Sequence, residues 1–170
     1  MRTLLPLALA AALSLGCGAE RRVNKLDSEE FKHYYALKVY MEDDARASYL
    51  KLKTRDERDA YLKKEGLWDR FYSLPPAVQT QVYEGDVQVG WTKDMMLMSW
   101  GKPVDSKKLA GRAAQRSFLY IYRFEQTQEG GLLVWEPGSK TQYKAAALFT
   151  REVILDDDKV VKIEQKPGKW

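Results

Sequence analysis

The chain predicts an α+β fold: N-terminal helices, then a short helix packed with them on a three- to four-stranded antiparallel sheet. Three observations carry that expectation. Apolar residues recur at helical spacing from Tyr34 to Leu52, an almost wholly apolar segment with marked ends runs from Gly90 to Pro103, and beyond Phe118 the apolar period drops to two. At 170 residues, 45% hydrophobic and 31% charged, the chain is globular in composition and long enough for one ordinary domain with a helical extension. Its formal charge of +4 is spread among interspersed acids and bases, so composition carries no nucleic-acid footprint.

The first sixteen residues read as an export signal. Arg2 is a short positive start, Leu4 to Leu15 carries no charge, and Ser14-Leu15-Gly16-Cys17 closes the run with small residues. That ending resembles the lipobox of bacterial lipoproteins, with Ser14 where the pattern more often has Leu. The resemblance implies that Cys17 receives a diacylglycerol on sulfur and, after cleavage before it, an acyl chain on the new amino group. The competing reading is an ordinary secretory signal that ends near a cysteine. Cys17 is the only cysteine, so an exported chain has no intramolecular disulfide to form, and a thioether to lipid removes an otherwise exposed thiol. Two or three acyl chains hold a protein on a bilayer far more firmly than one. Gly18 follows, with no aspartate to resemble the inner-membrane retention signal, so the expected location is an outer membrane, lipid-anchored and facing the periplasm.

Residues 17–26 read as a polar lipidated tether and 27–74 as a helical extension. Asp27 with Glu30 is a capping-box start, and Tyr34, Leu37, Met41, Ala45, Tyr49 and Leu52 form one apolar stripe on a long helix with a possible break near Glu42-Asp43-Asp44. Such a helix either packs on its own domain or binds a partner. Thr54 with Glu57 restarts the helix; Leu67 with Phe71 and Trp68 with Tyr72 give it an aromatic face, and Gly66 weakens its middle. Residues 75–170 are expected to form the α+β domain. Pro75-Pro76 opens a helix with Val78 and Val82 inward, Gly85 stops it, and Asp86 to Val89 is an extended link with Val87 and Val89 on one side. Thr92 caps the next helix, Asp94 complements its dipole, Gly101 can take the left-handed cap position and Pro103 forbids continuation. Met95, Met96, Leu97, Met98 and Trp100 then demand cover on most sides.

Lys102, Lys107, Lys108, Arg112 and Arg116 fall in a stretch whose only acid is Asp105, read as a mobile surface loop. It is either merely solvated or a contact for an anionic partner such as lipid headgroups. Strands follow: Phe118, Tyr120, Tyr122 and Phe124 make an aromatic face, Gly130-Gly131 turns, Leu132 to Trp135 returns and is ended by Pro137-Gly138. Tyr143 to Leu155 and Lys159 to Gln165 close a hairpin around Asp156-Asp157-Asp158, with Val161 and Ile163 inward. The aromatics are either core or, in the alternative reading, a platform for a peptidoglycan or lipid ligand.

Chemistry is sparsely supplied. His33 is the only histidine and reads as a surface or partly packed residue, so Cys/His dyads and His-rich zinc sites are excluded by count. The Asp156 to Asp158 run lacks the spaced ligands of an EF-hand loop and reads as a polar turn. No catalytic, cofactor-binding or metal-binding set is predicted, and an enzyme is not expected.

The landmark order Gly90-Trp91-Thr92, Gly101-Lys102-Pro103, Tyr120-Ile121-Tyr122-Arg123-Phe124 and the hairpin Val153 to Ile163 resembles the SmpA/OmlA-type, or BamE-like, outer-membrane lipoproteins. The resemblance spans Pro76 to Gln165, with Trp91 and Tyr120 as departures. It implies two helices packed on a three-stranded antiparallel sheet and an accessory, protein-binding role in outer-membrane protein assembly, with an unidentified envelope protein as partner. Gly90-Trp91-Thr92-Lys93-Asp94 is more weakly similar to the GWxTD-domain exported proteins. Residues 27–74 have no counterpart in the BamE-like pattern.

Overall fold

The computed structural model describes residues 21–135 and 145–168. Cys17, the signal segment, Pro137-Gly138 and Tyr143 lie outside them. The chain is α+β and divides into two units, Met1–Ser73 and Leu74–Trp170, each taken by itself below.

In the first unit, Asp27 caps α1 (Ser28–Leu37) through a capping box. Its Oδ1 accepts from the Glu29 and Glu30 N–H groups at 2.9 and 2.8 Å, and Glu30 Oε2 accepts from the Asp27 N–H at 3.0 Å. The helix does not run on to Leu52. It tightens into a 3-10 turn (Lys38–Tyr40), Met41 is extended, and α2 (Asp43–Tyr49) begins anew. Two local forces favour that break. Asp43 and Asp44 suit a helix start, and Arg46 Nε donates to the Lys38 and Met41 carbonyls at 2.9 Å each, satisfying groups that the interrupted helix releases. The stripe survives the break, since Leu37, Met41 and Tyr49 are all buried.

Thr54 and Glu57 form the second capping box and open α3 (Arg55–Lys64). Gly66, expected inside one helix, instead ends it: at φ +66° it takes the left-handed position, and the Leu67 N–H reaches the Leu62 carbonyl at 2.9 Å. A separate short helix, α4 (Trp68–Tyr72), follows, and Leu37, Tyr49, Leu62, Leu67 and Phe71 are buried.

The second unit opens with α5 (Pro76–Glu84), closed by Gly85. The link that follows is not a plain extended segment. Gly90 donates to the Val160 carbonyl at 2.7 Å, Trp91 to that of Gln88 at 3.2 Å, and Val160 to that of Trp91 at 2.8 Å, so the chain turns there. The turn leaves Val87 buried and Val89 62% exposed, not side by side as expected. Helix α6 (Lys93–Trp100) has Thr92 as N-cap, its Oγ1 accepting from the Met95 N–H at 3.3 Å. Gly101 closes it at φ 74° and ψ −157°, a glycine conformation other than the expected left-handed helical one.

Five antiparallel strands form one sheet: β1 (Asp105–Lys108), β2 (Ser117–Gln126), β3 (Leu132–Val134), β4 (Ala147–Asp156) and β5 (Lys159–Pro167). The order is β1-β2-β4-β5, with β3 sharing the β1 edge of β2, so β3 and β4 lie on opposite sides of β2. Three or four strands were expected. The addition is β1, within the stretch read as a mobile loop, which pairs Asp105 to Lys108 with Ile121 to Phe118. An all-polar, wholly exposed edge strand carries no apolar alternation to reveal it, and its lysines discourage further pairing.

Tyr120, Tyr122 and Phe124 oppose Val153, Arg151 and Phe149 across β2 and β4, and α6 packs on that face through Trp100. The Trp100 ring meets Tyr122 and Phe124 edge-on at 5.3 and 5.1 Å, and its Nε1–H donates to the Gly85 carbonyl at 2.9 Å. Tyr122 is 0% exposed, with its hydroxyl donating to the Gly101 carbonyl at 3.1 Å. In β5 the expected inward pair is corrected by one position. A bulge between Ile154 and Leu155 sets Val160 opposite Leu155, so Val160 is buried and Val161 is 39% exposed, while Ile163 keeps its place opposite Val153.

Candidate functional site

The five cations singled out for an anionic partner do not form one surface. Lys107 and Lys108 are successive residues of β1 and point to opposite faces of the sheet; Lys102 is exposed on the connection before it. The two arginines are used internally. Arg112 donates from Nε and Nη2 to Asp156 at 2.9 and 2.7 Å, and Arg116 donates from Nη2 to Asp158 at 2.8 Å. The Arg116 N–H also donates to Asp157 Oδ1 at 2.9 Å, and the Asp157 N–H to the Arg116 carbonyl at 2.8 Å.

These bonds clasp the start of β2 to the β4–β5 turn. Asp157 and Asp158 make that turn at φ 45° and 62°, a region that aspartate tolerates better than most side chains. The Arg112 hydrogen bond, helped by the Ser117 hydroxyl, holds the Asp156 carboxyl at about 2. The aspartate run is therefore occupied by neighbouring cations, a hydroxyl and backbone N–H groups. Among the described residues no group of three or more His, Cys, Asp or Glu side chains is arranged to hold a metal ion.

The aromatic strand face is core. Trp91, Trp100, Tyr120, Tyr122, Phe124 and Phe149 are all buried, and the Arg151 guanidinium lies over the rings of Trp100, Phe124 and Phe149 at 5.2, 4.8 and 5.5 Å. Burial lowers the Arg151 pKa, opposed by Asp86. Trp135, half-buried just past β3, donates its Nε1–H to buried Glu125 at 2.6 Å and lies 6.0 Å from the Arg123 guanidinium.

The residues brought together most tightly are in the helical unit, and one of them corrects an expectation. His33 is 2% exposed, not a surface group. It sits among Trp68, Phe71 and Tyr72, with ring centroids 5.6, 6.0 and 5.1 Å away, and its Nε2 is hydrogen-bonded to the Tyr72 hydroxyl. Its Nδ1 faces Asp59 Oδ1 at 3.9 Å, beyond hydrogen-bond length. Burial lowers the imidazole pKa, and Asp59 works against that shift.

One helical turn earlier, Glu30 Oε1 accepts from Arg58 Nε at 2.7 Å, and Arg58 Nη1 donates to the Leu52 carbonyl at 2.7 Å; both residues are buried. Glu30 thus closes the α1 capping box and fixes α3 to α1. Outside this pair, exposed Arg55 gathers Asp27, Glu29 and Asp59. The signal for the cluster was present as Glu30 and His33 three residues apart on α1, and Arg55, Arg58 and Asp59 on one side of α3. Neither spacing is specific without knowing that the two helices meet.

Of this Tyr-His-Asp set only His33 is closed to solvent; Tyr72 and Asp59 are half-buried. Among the described residues no helix is long and apolar enough to cross a membrane. Comparison of the chain with protein-family profiles, curated proteins and solved structures gave no match.

Proposed function

We propose that the chain is a lipid-anchored, periplasm-facing interaction protein of a bacterial envelope, scaffolding or modulating an outer-membrane assembly through a BamE-like second unit. The observation that carries the reading is the Arg2 to Cys17 signature, with its single cysteine at the one position where an acyl anchor requires it. The second unit adds support, since it runs two helices and then antiparallel strands, the order the resemblance implies, with short strands β1 and β3 besides. Burial of Tyr120, Tyr122, Phe124 and Trp100 weighs against the ligand-stacking alternative, because those rings are engaged with one another and with Arg151.

The test has two parts. Globomycin treatment of producing cells should shift the chain to a larger precursor, and Cys17→Ser should abolish incorporation of labelled palmitate; an unshifted band overturns the lipid anchor. Crosslinking in solubilised envelopes should then recover a defined envelope protein. Recovery of none overturns the scaffold role.

A further inference from the structure

We infer that a basic cleft in the helical unit binds a phosphate-bearing anion. The cleft, about 330 Å³, lies between the segment ahead of α1 and the α2–α3 connection, and its charged lining is Arg22, Lys25, Lys51, Lys53 and Arg58. Leu26, Leu50 and Leu52 supply the apolar part of the wall, and among the described residues no acid lines it.

The five cations are not equivalent. Arg58 is buried and committed to Glu30 and the Leu52 carbonyl, so it adds a floor and little net charge. Arg22, Lys25, Lys51 and Lys53 are exposed, and no ion pair within 4.0 Å engages them among the described residues. Of the acids beside the lining, Glu30 is paired with Arg58, and the Glu57 carboxylate is held by the Lys53 and Thr54 backbone N–H groups at 2.7 and 3.1 Å. Four exposed cations lining one cleft, with the adjacent carboxylates already engaged, leave an excess positive potential over a concave surface. One planar guanidinium beside three ammonium groups is a donor set suited to phosphate oxygens. The contrast with the 102–116 stretch is direct, because there Arg112 and Arg116 already hold Asp156 and Asp158.

Placement names the candidate sources. Arg22 is five residues from Cys17, which limits their separation to roughly 18 Å of extended chain. Resting on the lipid-anchor reading, that reach brings the cleft to the headgroups of the anchoring leaflet. A free phosphate in the surrounding compartment offers the same chemistry. The cleft lies in the unit for which the BamE-like pattern has no counterpart.

The test uses the full chain carrying Cys17→Ser, so that binding does not depend on acylation, and compares phosphatidylcholine vesicles with vesicles doped with phosphatidic acid. Co-sedimentation with the doped vesicles only, falling with added salt, is expected. The triple variant Arg22→Gln, Lys25→Gln, Lys51→Gln should weaken it roughly a hundredfold, at about fivefold per basic residue near an anionic surface. Its circular dichroism should match the parent, since the three side chains are exposed. The control pair Lys107→Gln, Lys108→Gln should bind as the parent does.

Calorimetry with inorganic phosphate separates the sources. Heat that disappears in the triple variant, with competition against vesicles, assigns the cleft to free phosphate; vesicle binding that phosphate does not displace assigns it to headgroups. A folded triple variant that binds both probes like the parent overturns the proposal, as does equal loss in the control pair. Neither result depends on the palmitate experiment, so the anchor and the cleft fail separately.

Discussion

Glu30→Gln should destabilise the helical unit by about 3 kcal/mol, the low end of the range for removing one partner of a buried ion pair. The substitution keeps a side-chain oxygen able to accept the Asp27 N–H, which Glu30 Oε2 now accepts at 3.0 Å, so the capping box is retained while the charge is removed and the oxygen that accepts from Arg58 becomes an NH2 donor. What remains is the Arg58 guanidinium, its side chain 11% exposed, with only the Leu52 carbonyl at 2.7 Å for a partner. The low end applies because Arg58 also lines the basic cleft and has a route toward water. Glu30→Ala should cost about 1 kcal/mol more, for the lost hydrogen bond to Asp27. Urea denaturation followed by far-ultraviolet circular dichroism measures each variant. In a double-mutant cycle, Glu30→Gln with Arg58→Met should recover most of the loss, since no buried charge is then unpaired. A cost below about 0.5 kcal/mol for Glu30→Gln, or strict additivity in the cycle, would refute the reasoning, because an exposed pair behaves in that way.

Trp100→Ala should cost about 3–5 kcal/mol in the same assay, by opening a cavity against Tyr122 and Phe124 and leaving the Gly85 carbonyl without its donor. Tyr122→Phe removes only the bond to the Gly101 carbonyl and should cost about 1 kcal/mol. His33 has a lowered pKa because it is buried, so the unfolded chain binds its proton first: its contribution is complete above the ordinary value of 6.5 and is lost as pH falls below it. Stability against pH should therefore decline on the acid side of neutrality in the parent and flatten there in His33→Phe, since no second histidine titrates in that window. Asp156 follows the same sign at lower pH, a carboxyl held at about 2 against an ordinary 3.8, so its contribution is present above 3.8 and disappears as pH falls toward 2. Carbon-detected NMR titration should find that carboxyl moved up in Arg112→Ala; an unmoved value would show that the clasp does not form in solution.

Much of the fold was legible because its signals are local. Asp27 with Glu30, Thr54 with Glu57, Thr92 before an apolar run, and Gly85 after one each act within a single helical turn, so sequence alone locates them. The aromatic alternation of β2 is likewise a property of one strand. What escaped depends on partners distant in the chain. Strand β1 exists because Asp105 to Lys108 finds the free edge of β2, and nothing in four exposed polar residues announces it. Val161, expected inward, is the unpaired residue of a bulge in β5 opposite Ile154 and Leu155, and Val160 takes the inward place instead. Gly66 was seen as a weak point in a helix, but whether glycine weakens or terminates depends on whether the next N–H reaches back to the Leu62 carbonyl.

The same distinction explains why the proposed contact site moved from the second unit to the first. A run of basic residues is informative only after their partners are known, and Arg112 and Arg116 have theirs forty-four and forty-two residues away, at Asp156 and Asp158. The cations at Arg22, Lys25, Lys51 and Lys53 never form a run; the segment ahead of α1 and the connection between α2 and α3 bring them to one cleft. Glu30 is held inward by its dual engagement with the Asp27 N–H and Arg58. The buried pair therefore does more than hold two helices together. By withdrawing one carboxylate from the surface it leaves the cleft positive, which is why Glu30→Gln is expected to test stability while Arg22, Lys25 and Lys51 test binding. A Glu30→Gln chain that remains folded should, with Arg58 released, bind phosphatidic acid vesicles more tightly than the parent.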